Sequence, residues 1–295
     1  MTKAVFISNV VSIYDDLPEE RYHFPKRYLK RIEATVGDWI IYYESKSNKG
    51  RKVYYSTAQV KGIREDPNTP NHFYAEIGNY LEFENAVPFK ENEFYYAKSL
   101  LNSDGTLNAG KARSAVYHIS EEEYQTIFQA GFVHILGKEV PQMESGRVFA
   151  SGFSEDQVEF ERPIVETLSR RPFRDQAFSK TVKDAYNQTC AMTGLKIING
   201  GGRAEVQAAH IKPVSEKGPD SVRNGIALSG TIHWMFDRGL VSINDNYEVI
   251  KVEEKIPKAM NDFLASKGKI ILPDRADFVP HPTFLKYHRE NIFKG

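Results

Sequence analysis

AEVQAAHIKPVSEKGPDSVRNGIALSGTIHWMFDRGL, residues 204–240, decides how this chain of 295 residues is read. EVQAAHI reads as a short strand, bounded by turn signals. IALSGTIHWMFDRG reads as a strand or turn leading into a helix that Gly239 ends. Three polar residues fall on these elements in order: His210 on the strand, Asn224 in the loop 14 residues on, and His233 on the helix after 9 more.

The ordered trio resembles the HNH nuclease motif, a ββα fold around one metal ion. The family's His-Ile-x-Pro stands here as His210-Ile211-Lys212-Pro213, its Asn-hydrophobic stretch as Asn224 to Leu228, and its helix-borne residue as His233. The subgroup with Ala-Ala-His-Ile and a trailing His-x-x-x-Asp-Arg-Gly is the most similar. CAMTGL, Cys190 to Leu195, and the tail PHPTFLKYHRENIFKG fit it too, so the resemblance covers roughly residues 165–295. One position departs: the commoner pattern has a metal-holding Asp or His directly before the base, where this chain has Ala209.

The resemblance implies phosphodiester hydrolysis, and the residue types suit it. An attacking water must lose a proton near neutral pH, and a neutral imidazole is well poised to take it; His210 is the candidate base. A divalent cation neutralises charge on the phosphate and stabilises the departing oxygen, with His233 as its first ligand. Asn224 is expected to orient His210 by hydrogen-bonding across the loop. Asp237, at i+4 from His233 on a helix, lies about 5–6 Å away and can complete the pair, though it could equally be a surface partner of Arg238. Glu205 is roughly 13 Å along a strand from position 209, too far unless the strand bends. A carboxylate and an imidazole with several waters suit Mg²⁺ or Mn²⁺. Read singly, His233 could instead be a core residue beside Trp234 and Phe236, and Arg238 a solvated cation rather than a phosphate contact. His281 and His288 read as structural.

Upstream, RRPFRDQAFSKTVKDAYNQ spaces Phe178, Val182, Ala185 and Tyr186 as one face of a helix. Residues 139–160 hold scattered Gly, Ser and acids with no sustained period and read as a seam. The division is therefore residues 1–140, a linker over 141–160, and a nuclease domain over 161–295. The first part is strand-rich (AVFISNVVSI, GDWIIYYES, KVYYSTAQVKGI, HFYAEIGNYLEF), which favours a β-barrel with a few helices. EEEYQTIFQAGF reads as a short helix with Ser120 as N-cap and Glu123 closing a capping box.

HFPKRYL, His23 to Leu29, followed by Gly37, Asp38, Tyr43 and Ser45, resembles the EVE branch of the PUA superfamily. Relatives of that fold bind modified bases flipped from the duplex into aromatic cages. The resemblance implies a pocket drawn from Tyr22, Phe24, Asp38, Trp39, Tyr43 and Ser45, with the aromatics stacking and Asp38 and Ser45 reading the base edge. On a strand Trp39 and Tyr43 share a face that Tyr42 does not, and each aromatic could instead be barrel core. Lys26 and Arg27, with Lys30 and Arg31, form a basic cluster suited to phosphates or to plain solvation.

Composition sets the outer limits. Lys plus Arg and Asp plus Glu are both 39, so no global positive field exists and any polyanion site is a local patch. A single cysteine excludes an intrachain disulfide framework and a multi-cysteine zinc cage. No apolar run is long enough to span a membrane and no secretory signal opens the chain, so a cytoplasmic protein is expected. The expectation is an α+β protein: an EVE-like barrel reading 5-methyl- or 5-hydroxymethylcytosine in double-stranded DNA, joined to a ββα-metal nuclease that cuts nearby, as in the EVE–HNH restriction enzymes. A homodimer would let one site per chain break both strands. The competing readings are a non-catalytic reader with a degenerate ββα domain and an HNH nuclease acting on RNA.

Overall fold

The computed structural model describes residues 2–8, 14–46, 50–133, 171–265 and 268–295. The proposed seam and linker lie outside these residues.

The strand-rich segments form one six-stranded sheet from β1 (Ala4–Ile7), β2 (Arg21–Pro25), β3 (Trp39–Glu44), β4 (Val53–Glu65), β5 (His72–Pro88) and β8 (Val116–His118), in the order β2-β5-β4-β3-β1-β8. A small hairpin of β6 (Lys90–Glu91) and β7 (Phe94–Tyr95) lies outside it. Only β1 and β3 run parallel; the other neighbours are antiparallel. The β4–β5 register shifts at three places, and such bulges bend and twist a ladder, which curls the long strands into a half-barrel.

Both faces of the sheet are apolar, so both must be covered. Trp39, Ile41 and Tyr43 join one buried cluster with Tyr124, Ile127 and Phe128, while Ile40 and Tyr42 join another with Phe6, Tyr22 and Phe24. This is the period-2 alternation of a strand buried on both sides. α1 (Leu29–Glu33) and the short α2 (Ala109–Ala112) flank the sheet. α3 (Glu121–Gly131) covers one face, and its capping box forms as the sequence predicts: Ser120 Oγ accepts the Glu123 N–H at 3.1 Å, and Glu123 accepts the Ser120 N–H at 2.6 Å.

α4 (Arg171–Ala185) is apolar on two sides rather than one. Phe178, Val182 and Tyr186 enter the carboxy-terminal core, as their spacing predicts, while Phe173 and Ala177 enter the core of the sheet domain. One helix therefore keys two cores together. The carboxy-terminal core is built on β9 (Gln207–His210) paired with β10 (Gly225–Leu228), followed by α5 (Gly230–Asp237). Gly239, at φ +71°, takes the left-handed conformation just past the end of α5. A β11 (Val241–Ile243) and β12 (Val249–Lys251) hairpin, α6 (Lys258–Ala265) and α7 (Pro282–Asn291) complete the unit. Cys190 is wholly buried in it.

Candidate active site

The β9–β10 ladder places His210 directly opposite Gly225. Phe178 of α4 stacks on the imidazole with centroids 3.8 Å apart and planes 10° from parallel. The stack sets the plane of the ring, and a hydrogen bond sets its rotation: His210 Nε2 is 2.9 Å from Asp220 Oδ1. An ionised carboxylate only accepts, so Nε2 carries the proton and Nδ1 of the neutral ring keeps the lone pair. Asp220 is 1% exposed and is held by Arg174 at 2.7 Å and Arg171 at 3.3 Å. Burial pushes its carboxyl up, but the His210 hydrogen bond and the two guanidinium charges outweigh this and hold it below the usual carboxylate range. The His210 side chain retains 18% exposure, so a base at this position remains within reach of solvent.

Asn224 does reach across the loop, but to backbone rather than to His210. Its Oδ1 accepts the Lys212 N–H at 2.8 Å, and its Nδ2 donates to the Lys212 and Pro219 carbonyls at 3.0 and 2.9 Å. A wholly buried amide with two donors and an acceptor satisfies the polar backbone of a tight loop. The ring partner is instead Asp220, which sequence reading passed over because an Asp in a Gly-Pro-Asp-Ser stretch looks like an ordinary turn residue.

His233 and Asp237 meet one turn apart on α5, with Nε2 and Oδ2 separated by 3.5 Å. His233 Nδ1 lies 2.7 Å from Gln207 Oε1 and donates to it. In the neutral ring this turns the Nε2 lone pair toward a carboxylate, two acceptors face to face. A proton on Nε2 or a bound cation would resolve that arrangement, and one imidazole with one carboxylate would suit Mg²⁺ or Mn²⁺, hard ions that keep much of their water. Ala209 is fully buried and contributes nothing, and Glu205 accepts the Gly230 N–H at 2.8 Å at the start of α5. Among the described residues no three His, Cys, Asp or Glu side chains gather into a complete cage. The two imidazoles are not in contact. His210 faces α4, while His233 is tied to Gln207, roughly 10 Å back along β9. On α5, Phe236 is core, whereas Trp234 is 57% exposed.

Residues 190–244 match the HNH_2 family, described as HNH endonuclease. The chain carries an HNH endonuclease module. No curated protein matches the chain. Among solved structures, one described as the modification-dependent TagI restriction endonuclease aligns over 97% of this chain and 81% of its own, with 14% identity and a TM-score of 0.32. The N-terminal domain of Staphylothermus marinus McrB aligns over 44% of this chain and 94% of its own, with 12% identity and a TM-score of 0.30. The type IV phosphorothioation-dependent restriction endonuclease ScoMcrA aligns over 78% of this chain and 46% of its own, with 13% identity and a TM-score of 0.20.

Outside the HNH module, the residues expected to cage a base are core. Tyr22, Phe24, Trp39 and Tyr43 are all under 7% exposed, and the Tyr22 hydroxyl donates to the Ile7 carbonyl. Asp38 is buried in an ion pair with Lys3 at 2.5 Å and accepts the Trp39 N–H. Ser45 follows β3, half-buried. The sheet is covered on both faces, and Tyr22, Phe24, Trp39 and Tyr43 fill its cores instead of a pocket. Lys26, Arg27 and Arg238 are exposed, as a phosphate contact requires.

A cavity of about 430 Å³ opens instead where the sheet domain meets the HNH module. Tyr14, Tyr55, Tyr247 and Phe278 supply aromatic walls over the largely buried Tyr80, Asp16 and Glu19 supply carboxylates, and Arg223 closes it from the HNH side. None of the six residues named for a base pocket lines it. Its aromatics come from segments scattered over both parts of the chain, so no local motif announces it. No helix among the described residues is long and apolar enough to cross a membrane.

Proposed function

We propose that this chain is a modification-dependent DNA endonuclease that recognises a modified cytosine, 5-methyl or 5-hydroxymethyl, in duplex DNA and cuts nearby. The observation that carries the reading is the His210–Asp220 pair in an HNH module, an imidazole of fixed plane and tautomer with Nδ1 available. Residues 1–140 serve as reader and 161–295 as nuclease, and the chain works as a cytoplasmic homodimer.

The base flips from the stack into the cavity between the two parts. Tyrosine faces there suit stacking, and Asp16 and Glu19 are acceptors of the kind that take the cytosine N4 amine. Lys26, Arg27 and Arg238 hold backbone phosphates. His210 Nδ1 removes the proton from the attacking water, and Asp220 stabilises the imidazolium that results. Asn224 keeps the 212–219 loop in shape behind it. His233 and Asp237 would hold the divalent ion, which when bound supplies charge neutralisation at the phosphate.

His210→Ala tests this. Cleavage of modified plasmid with Mg²⁺ or Mn²⁺ is expected to fall at least about a hundredfold, the usual contribution of a general base, with binding of modified duplex retained. Unchanged nicking removes the base assignment. Parallel digestion of DNAs carrying C, 5-methylC, 5-hydroxymethylC or N6-methylA, and of RNA, tests the substrate: cutting that ignores the modification, or that prefers RNA, overturns the reading.

A further inference from the structure

We propose that Arg174 is a positioning residue for His210, locking Asp220 against the imidazole while tying the pair, through Asn79, to the sheet domain. The proposal rests on His210 being the base. Arg174 has three nitrogens in use at this junction. Nε and Nη2 both reach Asp220 Oδ2, at 2.8 and 2.7 Å, while Asp220 Oδ1 takes His210 at 2.9 Å and, more loosely, Arg171 Nη1 at 3.4 Å. Nη1 crosses to Asn79 Oδ1 at 2.7 Å. Asn79 lies on β5, in the left-handed region at φ +53°, close to a register shift in the β4–β5 ladder. Its Nδ2 donates to Gln59 Oε1 at 2.9 Å, and Gln59 Nε2 donates to the Gly37 carbonyl at 2.8 Å. A polar chain therefore runs from the imidazole of the HNH module to the entry of β3 without a break.

The chemistry follows from the division of oxygens. A planar guanidinium bonded through two nitrogens fixes a carboxylate far more tightly than a point charge does. By occupying Oδ2 with two nitrogens, Arg174 turns Oδ1 toward His210, while Arg171 Nη1 makes longer contacts to both oxygens. It also carries compensating charge. The charged groups facing His210 are Asp220 from its loop and Arg171 and Arg174 from α4, with Asp175 paired to Arg171, while Lys61 of β4 stands near Arg174; the facing β10 residue, Gly225, carries none. With Arg174 neutralised, the Asp220 carboxylate acts on the imidazole less opposed, and the protonated ring is favoured.

The test uses the full chain, duplex DNA carrying 5-hydroxymethylcytosine or 5-methylcytosine, and Mg²⁺ or Mn²⁺. Arg174→Gln is expected to lower kcat about tenfold, less than the roughly 10²–10⁴ attributable to the general base itself, with KM unchanged. It should also move the acid limb of the kcat profile upward by about one pH unit. Arg174→Lys keeps the charge and loses the fork, so its limb should stay in place while kcat still falls. Asn79→Ala should lower kcat with the limb in place. A uniform drop for Arg174→Gln at every pH, with no displaced limb, overturns the proposal, because a structural role alone would do that. If Arg174→Gln does not fold, Arg174→Lys decides together with the NMR signals of the His210 ring: kcat equal to the parent, or a lower kcat with unchanged ring signals, overturns the proposal, and a lower kcat at unchanged KM with displaced ring signals supports it. His210→Ala runs alongside; if that variant still cuts, the reading of His210 has failed, whereas an inert His210→Ala with an unshifted Arg174→Gln profile defeats the Arg174 proposal alone.

Discussion

Gly225 shows how narrowly the His210 ring is held. A Cβ at this position would lie 2.3 Å from Val182 Cγ2 and 3.0 Å from the Phe178 ring, the ring that stacks on His210 from the other side of the β9–β10 register. Neither neighbour is the loose end of a flexible side chain, so α4 itself would have to move. Gly225→Ala is expected to cost about 1–3 kcal/mol, as overpacking does, and to depress cleavage beyond that loss by tilting Phe178. Urea melts and cleavage rates check both parts; a variant as stable and active as its parent would mean that α4 does not need this close approach. At this scale the sequence was partly legible. His210, Asn224, His233 and Asp237 are visible because strand, loop and helix fix their spacing, and the i+4 argument brings His233 and Asp237 within 3.5 Å. Asp220 and Arg174 are not visible, because their partners are set by tertiary packing.

Among the elements, α7 is tied to α5 through a buried histidine. The His288 ring stacks on Phe236 of α5 at 3.7 Å, its Nδ1 accepts from the Ser242 hydroxyl at 2.8 Å, and its Nε2 donates to the Phe236 carbonyl at 3.2 Å. Burial drives its pKa down to about 4, against a Phe236 hydrogen bond that raises it. The unfolded chain, near 6.5, therefore binds the proton first. The stabilisation is complete above pH 6.5 and is lost as pH falls toward 4, amounting to about 2 kcal/mol by pH 5. Urea unfolding at pH 7 and 5 should show this loss in the parent and a flatter dependence in His288→Gln; parallel losses in both would assign the acid sensitivity elsewhere. The structural role read for His288 came from its place in a tail that resembles the one following this subgroup's motif. By contrast, local pattern misled where both faces of an element are buried: α4 reads as one-sided because Phe173 and Ala177 serve a second core that its own sequence does not announce.

For the whole molecule, the α+β class was legible from strand composition, whereas the cavity between the sheet domain and the HNH module was not. A cavity made where two units meet depends on how they dock, and the aromatics named from β2 and β3 are needed in two cores. The docking surface itself carries a titratable latch. Glu82 on β5 accepts the Val222 N–H at 2.7 Å and the Ser221 hydroxyl at 3.3 Å, and Glu19 also accepts from Ser221, at 3.0 Å. Burial raises the Glu82 pKa to about 8, opposed by the Val222 hydrogen bond and reinforced by Glu19. The folded state thus keeps a proton that the unfolded chain, near 4.5, gives up. The junction costs nothing on this account below pH 4.5, and as pH rises to about 8 the cost grows to about 4 kcal/mol. Glu82→Gln retains an acceptor for Val222 and needs no proton, so it should raise the melting temperature at pH 7.5 and bring little or no gain at pH 4.5. A gain of equal size at both pH values would point to packing rather than titration, and a loss at pH 7.5 would mean that the charged carboxylate is what binds the sheet domain to the HNH module.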